Sequence, residues 1–107
     1  MKDSTADMNW LQSKVRDWAR RRGIFTMSTP LKQWEKLVEE VNELRLGITQ
    51  SNEEEIVDGI GDCLVVLTNL AEFYNLSLNE CLEHAWVEIA DRRGKMVGGM
   101  FVKEGRD

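Results

Sequence analysis

The sequence predicts an all-α fold, an antiparallel four-helix bundle with a short C-terminal extension. Four segments carry apolar residues at the three- and four-residue spacing of one helix face. Residue types that favour helix starts precede three of these segments. The links between the segments are short, and helices joined in this way pack as antiparallel neighbours. Few positions favour strand.

The first two predicted helices each have one apolar face. The first covers residues 8–22, and Gly23 is expected to end it. The second begins at Thr29-Pro30, a capping residue followed by proline at the first helical position, and is expected to end at Gly47. The apolar face of the first helix consists of Met8, Leu11, Val15, Trp18 and Ala19. That of the second consists of Leu31, Trp34, Leu37, Val38, Val41 and Leu44.

The last two helices are both predicted from capping boxes. The third helix starts at Ser51-Asn52-Glu53-Glu54 and continues to about Tyr74. It is apolar nearly all round between Cys63 and Ala71, which is typical of a helix surrounded by others. The fourth starts at Ser77-Leu78-Asn79-Glu80 and runs to about Arg93. We expect the apolar surface that remains to be covered in a homodimer or homotetramer.

A chain of 107 residues is expected to form a single domain, residues 1–107. Within it, residues 1–28 hold the N-terminal helix, residues 29–93 hold the acidic motifs, and residues 94–107 form a tail. In the tail, Gly98-Gly99 separates two short apolar pairs, which indicates a turn or small hairpin.

The net charge, the apolar runs and the cysteines argue against several classes of protein. A formal net charge of −5 is unfavourable for nucleic-acid binding, which depends on neutralising phosphates. The longest apolar run, Cys63–Leu67, is far shorter than the roughly 20 residues of a membrane span. Met1–Thr5 lacks the apolar region of a secretory signal, and the two cysteines have no disulfide spacing. We therefore expect a cytoplasmic protein that binds neither nucleic acid nor membrane.

Acidic residues are concentrated on the second and third helices. Glu39, Glu40 and Glu43 fall within roughly 100° of one another on the second helix, opposite its apolar face. One interpretation is an ordinary solvated polar face. On the third helix, Asp58 and Asp62 are one turn apart, and Asp62 directly precedes the most apolar part of the chain. A carboxylate there needs a cation, a donor or a metal.

Two interpretations of this acidic pair remain open. Asp62 can form a salt bridge with an arginine of another helix. Alternatively, the two acidic helices face each other and share hard cations, because oxygen ligands without histidine or cysteine suit Mg²⁺ or Mn²⁺. Gly59 and Gly61 lie between the two aspartates and indicate a close approach to the backbone. A di-iron bundle is excluded, because it needs two Glu-x-x-His motifs and the chain has one histidine, His84.

Polyphosphates are the ligands that best match a cluster of carboxylates and Mg²⁺, since the metal ions bridge phosphate oxygens. Arg93 and Lys95 could reach the far end of such a ligand, although cations also stabilise a helix C-terminus by themselves. Most of the four tryptophans are expected in the core or an interface, and one can stack on a base. The candidate substrate-binding residues are Lys36, Arg93, Lys95 and Trp34.

The acidic motifs resemble those of the MazG-like, all-α nucleoside triphosphate pyrophosphohydrolases. Residues 37–44, Leu-Val-Glu-Glu-Val-Asn-Glu-Leu, match the family's Glu-Glu-x-x-Glu motif, and Asp58-Gly59-Ile60-Gly61-Asp62 suits its second motif on the next helix. Gln33, Lys36 and the ending Glu88–Val97 are similar as well, so the resemblance covers about residues 30–103.

The resemblance implies cleavage of a (d)NTP between its α and β phosphates by an oligomeric enzyme that needs Mg²⁺ or Mn²⁺. Glu40, Glu43 and Asp62 are then metal ligands, and Glu39 binds a second ion or positions the attacking water. The second motif is commonly Glu-x-x-Asp, but Gly59 stands three residues before Asp62. Asp58 is the expected replacement, with Glu55 as a further candidate. The alternative functions are a non-catalytic oligomerisation or regulatory protein, and a nucleotide sensor without turnover.

Overall fold

The computed structural model describes residues 6–105, and this part of the chain contains five α-helices followed by two β-strands. The mostly helical prediction is confirmed, whereas the ends of the predicted domain, residues 1–5 and 106–107, lie outside the described residues. The elements are α1 (Met8–Arg21), α2 (Ile24–Met27), α3 (Pro30–Thr49), α4 (Glu53–Phe73), α5 (Leu78–Ile89), β1 (Gly94–Val97) and β2 (Met100–Lys103). No helix in this part of the chain is long and apolar enough to cross a membrane.

The N-terminal region differs from the prediction by one short helix. Gly23 ends α1 as expected, and it does so with a φ of 81°, a left-handed conformation that glycine adopts without strain. The chain then forms the four-residue helix α2, which no periodic pattern indicates because it is only one turn long. Phe25 of α2 packs edge-on against Phe73, with 5.3 Å between ring centres, and so ties this segment to the end of α4.

Helix α3 begins as predicted but ends two residues later than predicted. The Thr29 side chain accepts a hydrogen bond from the Lys32 backbone N–H at 3.1 Å, with Pro30 in the first turn. Gly47 lies inside the helix instead of ending it. A Cβ at Gly47 would come within 3.1 Å of the Glu55 Cβ, so the glycine permits α4 to approach closely. The prediction that Gly47 ends the helix is therefore wrong, because this glycine serves the close packing of two helices.

The starts of α4 and α5 test the two predicted capping boxes. Asn52, and not Ser51, caps α4 by accepting a hydrogen bond from the Glu55 backbone N–H, while Ser51 has a positive φ. The predicted box was therefore shifted by one residue. Ser77 caps α5 as predicted, accepting from the Glu80 backbone N–H. Helix α5 ends at Ile89, four residues before the predicted end, because the following residues lead into the hairpin.

Helices α3 and α4 form the largest interface, and α3 uses a different face from the predicted one. The face directed at α4 contains buried Glu40 and Gly47, with half-buried Leu44 between them and half-buried Leu37 one turn before Glu40. The remaining members of the predicted apolar face are exposed: Leu31, Trp34, Val38 and Val41. Both sets follow helical spacing, so periodicity alone could not choose between them. The prediction that Glu40 lies on a face opposite the core is wrong.

Helix α4 is only partly surrounded by other helices. Its C-terminal half contributes Val66, Thr68, Asn69 and Ala71 to the buried part of the protein, whereas Ile60 is half-exposed. Helix α1 packs on α4 and is linked to it by an ion pair between Arg20 and Glu72 at 3.2 Å.

The C-terminal region packs weakly on the rest of the chain. The buried Gln12 side chain joins α1 to the first turn of α5, accepting from the Leu78 backbone N–H at 3.0 Å. Every residue from 79 to 91 is exposed. The predicted hairpin is present: β1 pairs antiparallel with β2 from Gly94–Lys103 to Val97–Met100, and Gly98-Gly99 turns with positive φ at both residues.

Candidate active site

The acidic residues of α3 and α4 lie around one antiparallel helix interface. A Cβ at Gly59 would come within 2.9 Å of the Leu44 Cβ, and a Cβ at Gly47 would come within 3.1 Å of the Glu55 Cβ. These two close approaches fix the register of the two helices. Glu40, one turn before Leu44, therefore lies near Cys63, one turn after Gly59.

Glu40 is the acidic side chain that this interface buries. It is 7% exposed, and its Oε1 lies 3.2 Å from the Lys36 Nζ. Its Oε2 is buried and has no hydrogen-bond partner within the described residues. A buried carboxylate oxygen without a donor or a cation is costly, so a further partner is expected at this atom.

Lys36 links Glu40 to Glu39 on the same helix face. Its Nζ also lies 3.2 Å from the Glu39 Oε1. The hydrogen bond to Glu40, followed by the one to Glu39, raises the pKa of Lys36 above its usual value. Lys36 therefore stays protonated and neutralises part of the acidic cluster.

The pKa of Cys63 responds to its burial and to the negative charges of Glu40 and Asp62. Burial raises the pKa of the Cys63 thiol, and the negative charges of Glu40 and Asp62 raise it further. Asp62 adjoins Cys63 in the sequence, whereas Glu40 belongs to the other helix, so the effect of Glu40 is the one that crosses the α3–α4 interface.

The reactivity of the two cysteines tests this environment. Iodoacetamide is expected to modify exposed Cys81 well before half-buried Cys63, because the thiolate is the nucleophile and a raised pKa lowers its fraction at a given pH. Mass spectrometry of quenched samples measures both rates, and the Cys81→Ser variant should show the slow reaction alone. Faster modification of Cys63 would contradict the described environment.

Asp62 and Asp58 are both exposed, so the prediction that Asp62 enters the buried part of the chain is wrong. Asp62 lines a cleft of about 410 Å³ between α1 and α4, together with Lys14 and Trp18. Neither aspartate forms a salt bridge with any residue in the described range. The alternative interpretation, a buried ion pair between Asp62 and an arginine, is therefore absent from this part of the chain.

Glu43 and Glu55 lie together at the other end of the acidic region. Both line a cleft of about 380 Å³ beside the turn that connects α3 to α4. Glu55-Ile56-Val57-Asp58 also has Glu-x-x-Asp spacing, one turn before the position at which the motif was sought. This spacing could have identified Glu55 as a candidate metal ligand equal to Asp58.

No three acidic, cysteine or histidine side chains of residues 6–105 come close enough together to form a complete metal site. The donor set nevertheless fits a hard divalent cation, because the candidate ligands are all carboxylates and Glu40 holds a buried oxygen without a partner.

The structure separates most of the candidate substrate-binding residues from the acids. Lys36 contacts the acidic cluster directly. Trp34 lines an apolar cleft of about 520 Å³ with Leu70 and Tyr74, and it lies six residues, or about 9 Å along the helix, before Glu40. Arg93 and Lys95 line a different cleft, at the hairpin.

The family model of the MazG nucleotide pyrophosphohydrolase domain matches residues 28–96, a span that includes both acidic motifs. The chain belongs to the MazG family. The chain is also 42% identical over 67 residues to an uncharacterized 18.2 kDa protein in the rep-hol intergenic region of Haemophilus phage HP1. The match spans 63% of this chain and 41% of the phage protein. No solved structure is significantly similar to the chain.

Proposed function

We propose that this MazG domain is a metal-dependent nucleotide pyrophosphohydrolase, which uses water to convert a (d)NTP into the (d)NMP and pyrophosphate. The observation that carries the proposal is the buried, unpartnered Oε2 of Glu40 within the Glu-Glu-x-x-Glu motif. A buried carboxylate between two helices that also carry Glu43 and Asp62 lowers stability unless a cation lies beside it.

In this proposal, Glu40, Glu43 and Asp62 hold Mg²⁺, or Mn²⁺ in its place, and Asp58 or Glu55 supplies a further ligand. The metal neutralises phosphate oxygens of the substrate when bound. Glu39 either binds a second ion or orients the attacking water. Lys36 keeps Glu39 and Glu40 in place through its two ion pairs and remains available to a phosphate.

Pyrophosphate release from each natural NTP and dNTP, with Mg²⁺ and with a chelator, tests the proposal. We expect Mg²⁺-dependent release that Glu43→Gln abolishes. Glu35→Gln is the matched control, because Glu35 is an exposed glutamate of the same helix that pairs with Lys32 outside the acidic motif. Release that is unaffected by Glu43→Gln would overturn the proposal.

A nucleotide sensor without turnover is the second candidate, because the same carboxylates could hold Mg²⁺ and a nucleotide without activating water. Calorimetric titration with a non-hydrolysable dNTP separates the candidates. A sensor binds the analogue with Mg²⁺ but releases no pyrophosphate from dNTPs. A non-catalytic oligomerisation or regulatory protein shows no metal-dependent binding.

A comparison of Glu55→Gln with Asp58→Asn identifies the further metal ligand. The variant that loses more Mg²⁺ affinity has lost the ligand.

We also propose that the protein is a homodimer or homotetramer. The radius of gyration is 16.2 Å, whereas a compact chain of this length has about 13 Å. The exposed large apolar residues of α3 and α5 include Leu31, Trp34, Val41, Leu82 and Trp86. Light scattering at micromolar concentration is expected to give a multiple of 12.4 kDa. A mass near 12.4 kDa would contradict the prediction.

A further inference from the structure

The base of the hairpin contains a cleft that is separate from the acidic cluster and includes two of the candidate substrate-binding residues, Arg93 and Lys95. Its volume is about 700 Å³, within the range of small-molecule sites. Four of its lining residues are cations, and its one lining carboxylate belongs to Glu104. The cations are Arg92, Arg93, Lys95 and Lys103. The walls of the cleft therefore carry a formal charge of +3 in a chain whose net charge is −5.

The cations of this cleft have no anionic partner within the described part of the chain. By contrast, Arg20, Lys32 and Lys36 each pair with a carboxylate on their own helices or a neighbouring one. The Arg92 Nε is buried and has no hydrogen-bond acceptor among the same residues. A buried guanidinium nitrogen needs an acceptor oxygen, and four neighbouring cations repel each other unless an anion lies between them.

The backbone holds this cleft in a defined shape. Gly94 begins β1 opposite Lys103, and a Cβ there would overlap the Val102 carbonyl oxygen at 2.2 Å, so a side chain at this position would force the strands apart. The Glu104 backbone N–H donates to the Arg93 carbonyl at 2.8 Å and closes the base of the hairpin. The second strand lies beyond residue 96, where the match to the family model ends.

We propose that this cleft is a binding site for a polyphosphate anion, with inorganic pyrophosphate as its smallest ligand. Phosphate oxygens accept the paired hydrogen bonds that a guanidinium donates, and a di- or triphosphate carries enough negative charge to neutralise the cleft. The volume exceeds that of a single phosphate group. A nucleic acid is the less favoured polyanion, because the net charge of −5 repels a long phosphate backbone.

The binding can be measured without the acidic site. Calorimetric titration of the Glu43→Gln variant with pyrophosphate in excess chelator excludes the metal and turnover, so the result does not depend on the proposed function. We expect binding that Lys95→Gln and Lys103→Gln each weaken roughly ten-fold, the effect of losing one charge-assisted hydrogen bond. Arg92→Lys should weaken it similarly, because lysine keeps the charge but lacks the Nε donor.

The control variant is Arg21→Gln, which removes an exposed cation from the basic end of α1 and should leave the affinity unchanged. Circular dichroism verifies that each variant retains its helices and hairpin. Equal affinity in all variants, or sulfate binding as tightly as pyrophosphate at the same ionic strength, would overturn the proposal. Tighter binding of a short oligonucleotide that displaces pyrophosphate would overturn it in favour of a nucleic-acid site.

A non-hydrolysable dNTP, added to the same chelator-containing titration, distinguishes the two sources of this anion. Competition with pyrophosphate supports the triphosphate tail of a nucleotide as the ligand. Pyrophosphate binding without competition supports the free anion.

Discussion

Replacing Glu40 with glutamine is expected to lower nucleotide hydrolysis by roughly 100-fold or more, the effect of losing a metal ligand or its close support. The amide keeps the size of the side chain but is a poor ligand for a hard cation. Stability without metal should change little, by less than about 1 kcal/mol, because the ion pair lost involves Lys36, whose side chain is 49% exposed. Pyrophosphate release and thermal melting with and without Mg²⁺ measure both effects.

The response to Mg²⁺ distinguishes a metal ligand from a structural carboxylate at this position. In the parent protein, Mg²⁺ should raise the melting temperature, since a cation that binds only the folded state stabilises it. In Glu40→Gln this increase should disappear, while Glu35→Gln should retain it. An unchanged increase in Glu40→Gln, or a large loss of stability without metal, would show that Glu40 does not bind a cation.

The second large effect is expected from Gly59→Ala. The new Cβ would lie 2.9 Å from the Leu44 Cβ and 3.0 Å from its Cα, so the helix backbones must separate. Overpacking costs about 1–3 kcal/mol, and contact with backbone atoms, which cannot rotate away, favours the upper end of that range. The better helix propensity of alanine offsets about 1 kcal/mol. We expect the melting temperature to fall by about 10 °C.

Gly61→Ala is the matched control for this change. It lies two residues further along α4, and a Cβ there meets nothing within 4 Å. Alanine at this position should therefore raise the stability by about 1 kcal/mol through helix propensity alone. Two identical substitutions in one helix thus have opposite expected signs. If both variants melted at similar temperatures, the close contact between α3 and α4 would be disproved.

Local signals in the sequence predict the local features of the fold well. Thr29 and Ser77 cap the helices that they were expected to cap, and Gly98-Gly99 forms the expected turn. Each of these features depends on hydrogen bonds or backbone angles within a few residues, which the residue type largely determines.

Packing between helices is less accessible to such reasoning. Gly47 was interpreted as the end of a helix, and Gly59 as a sign of close approach. Both glycines in fact allow the close contact between α3 and α4. The face of α3 that meets α4 depends on this contact and not on the larger side chains at Trp34 and Val38. Sequence periodicity gives the spacing of a face, but two overlapping faces require the tertiary register to decide between them.

The candidate site was likewise predicted in its local spacing but not in its packing. The spacing of the carboxylates predicted that two acidic helices adjoin, and the effect of Glu40 on Cys63 across the α3–α4 interface agrees with it. The burial of each carboxylate could not be predicted, because it follows from the helix register: Glu40 is buried and Asp62 is exposed. The metal ligands and the substrate-binding roles remain predictions that the experiments above test.

The close pairing of α3 and α4 also has a consequence for how the chain folds. Only residues 50–52 separate the two helices, so closing this loop costs little chain entropy, and such contacts form before those between distant segments. We infer that this helix hairpin forms early and that α1 docks onto it afterwards. The interface that buries Glu40 is then in place before α1 packs against α4.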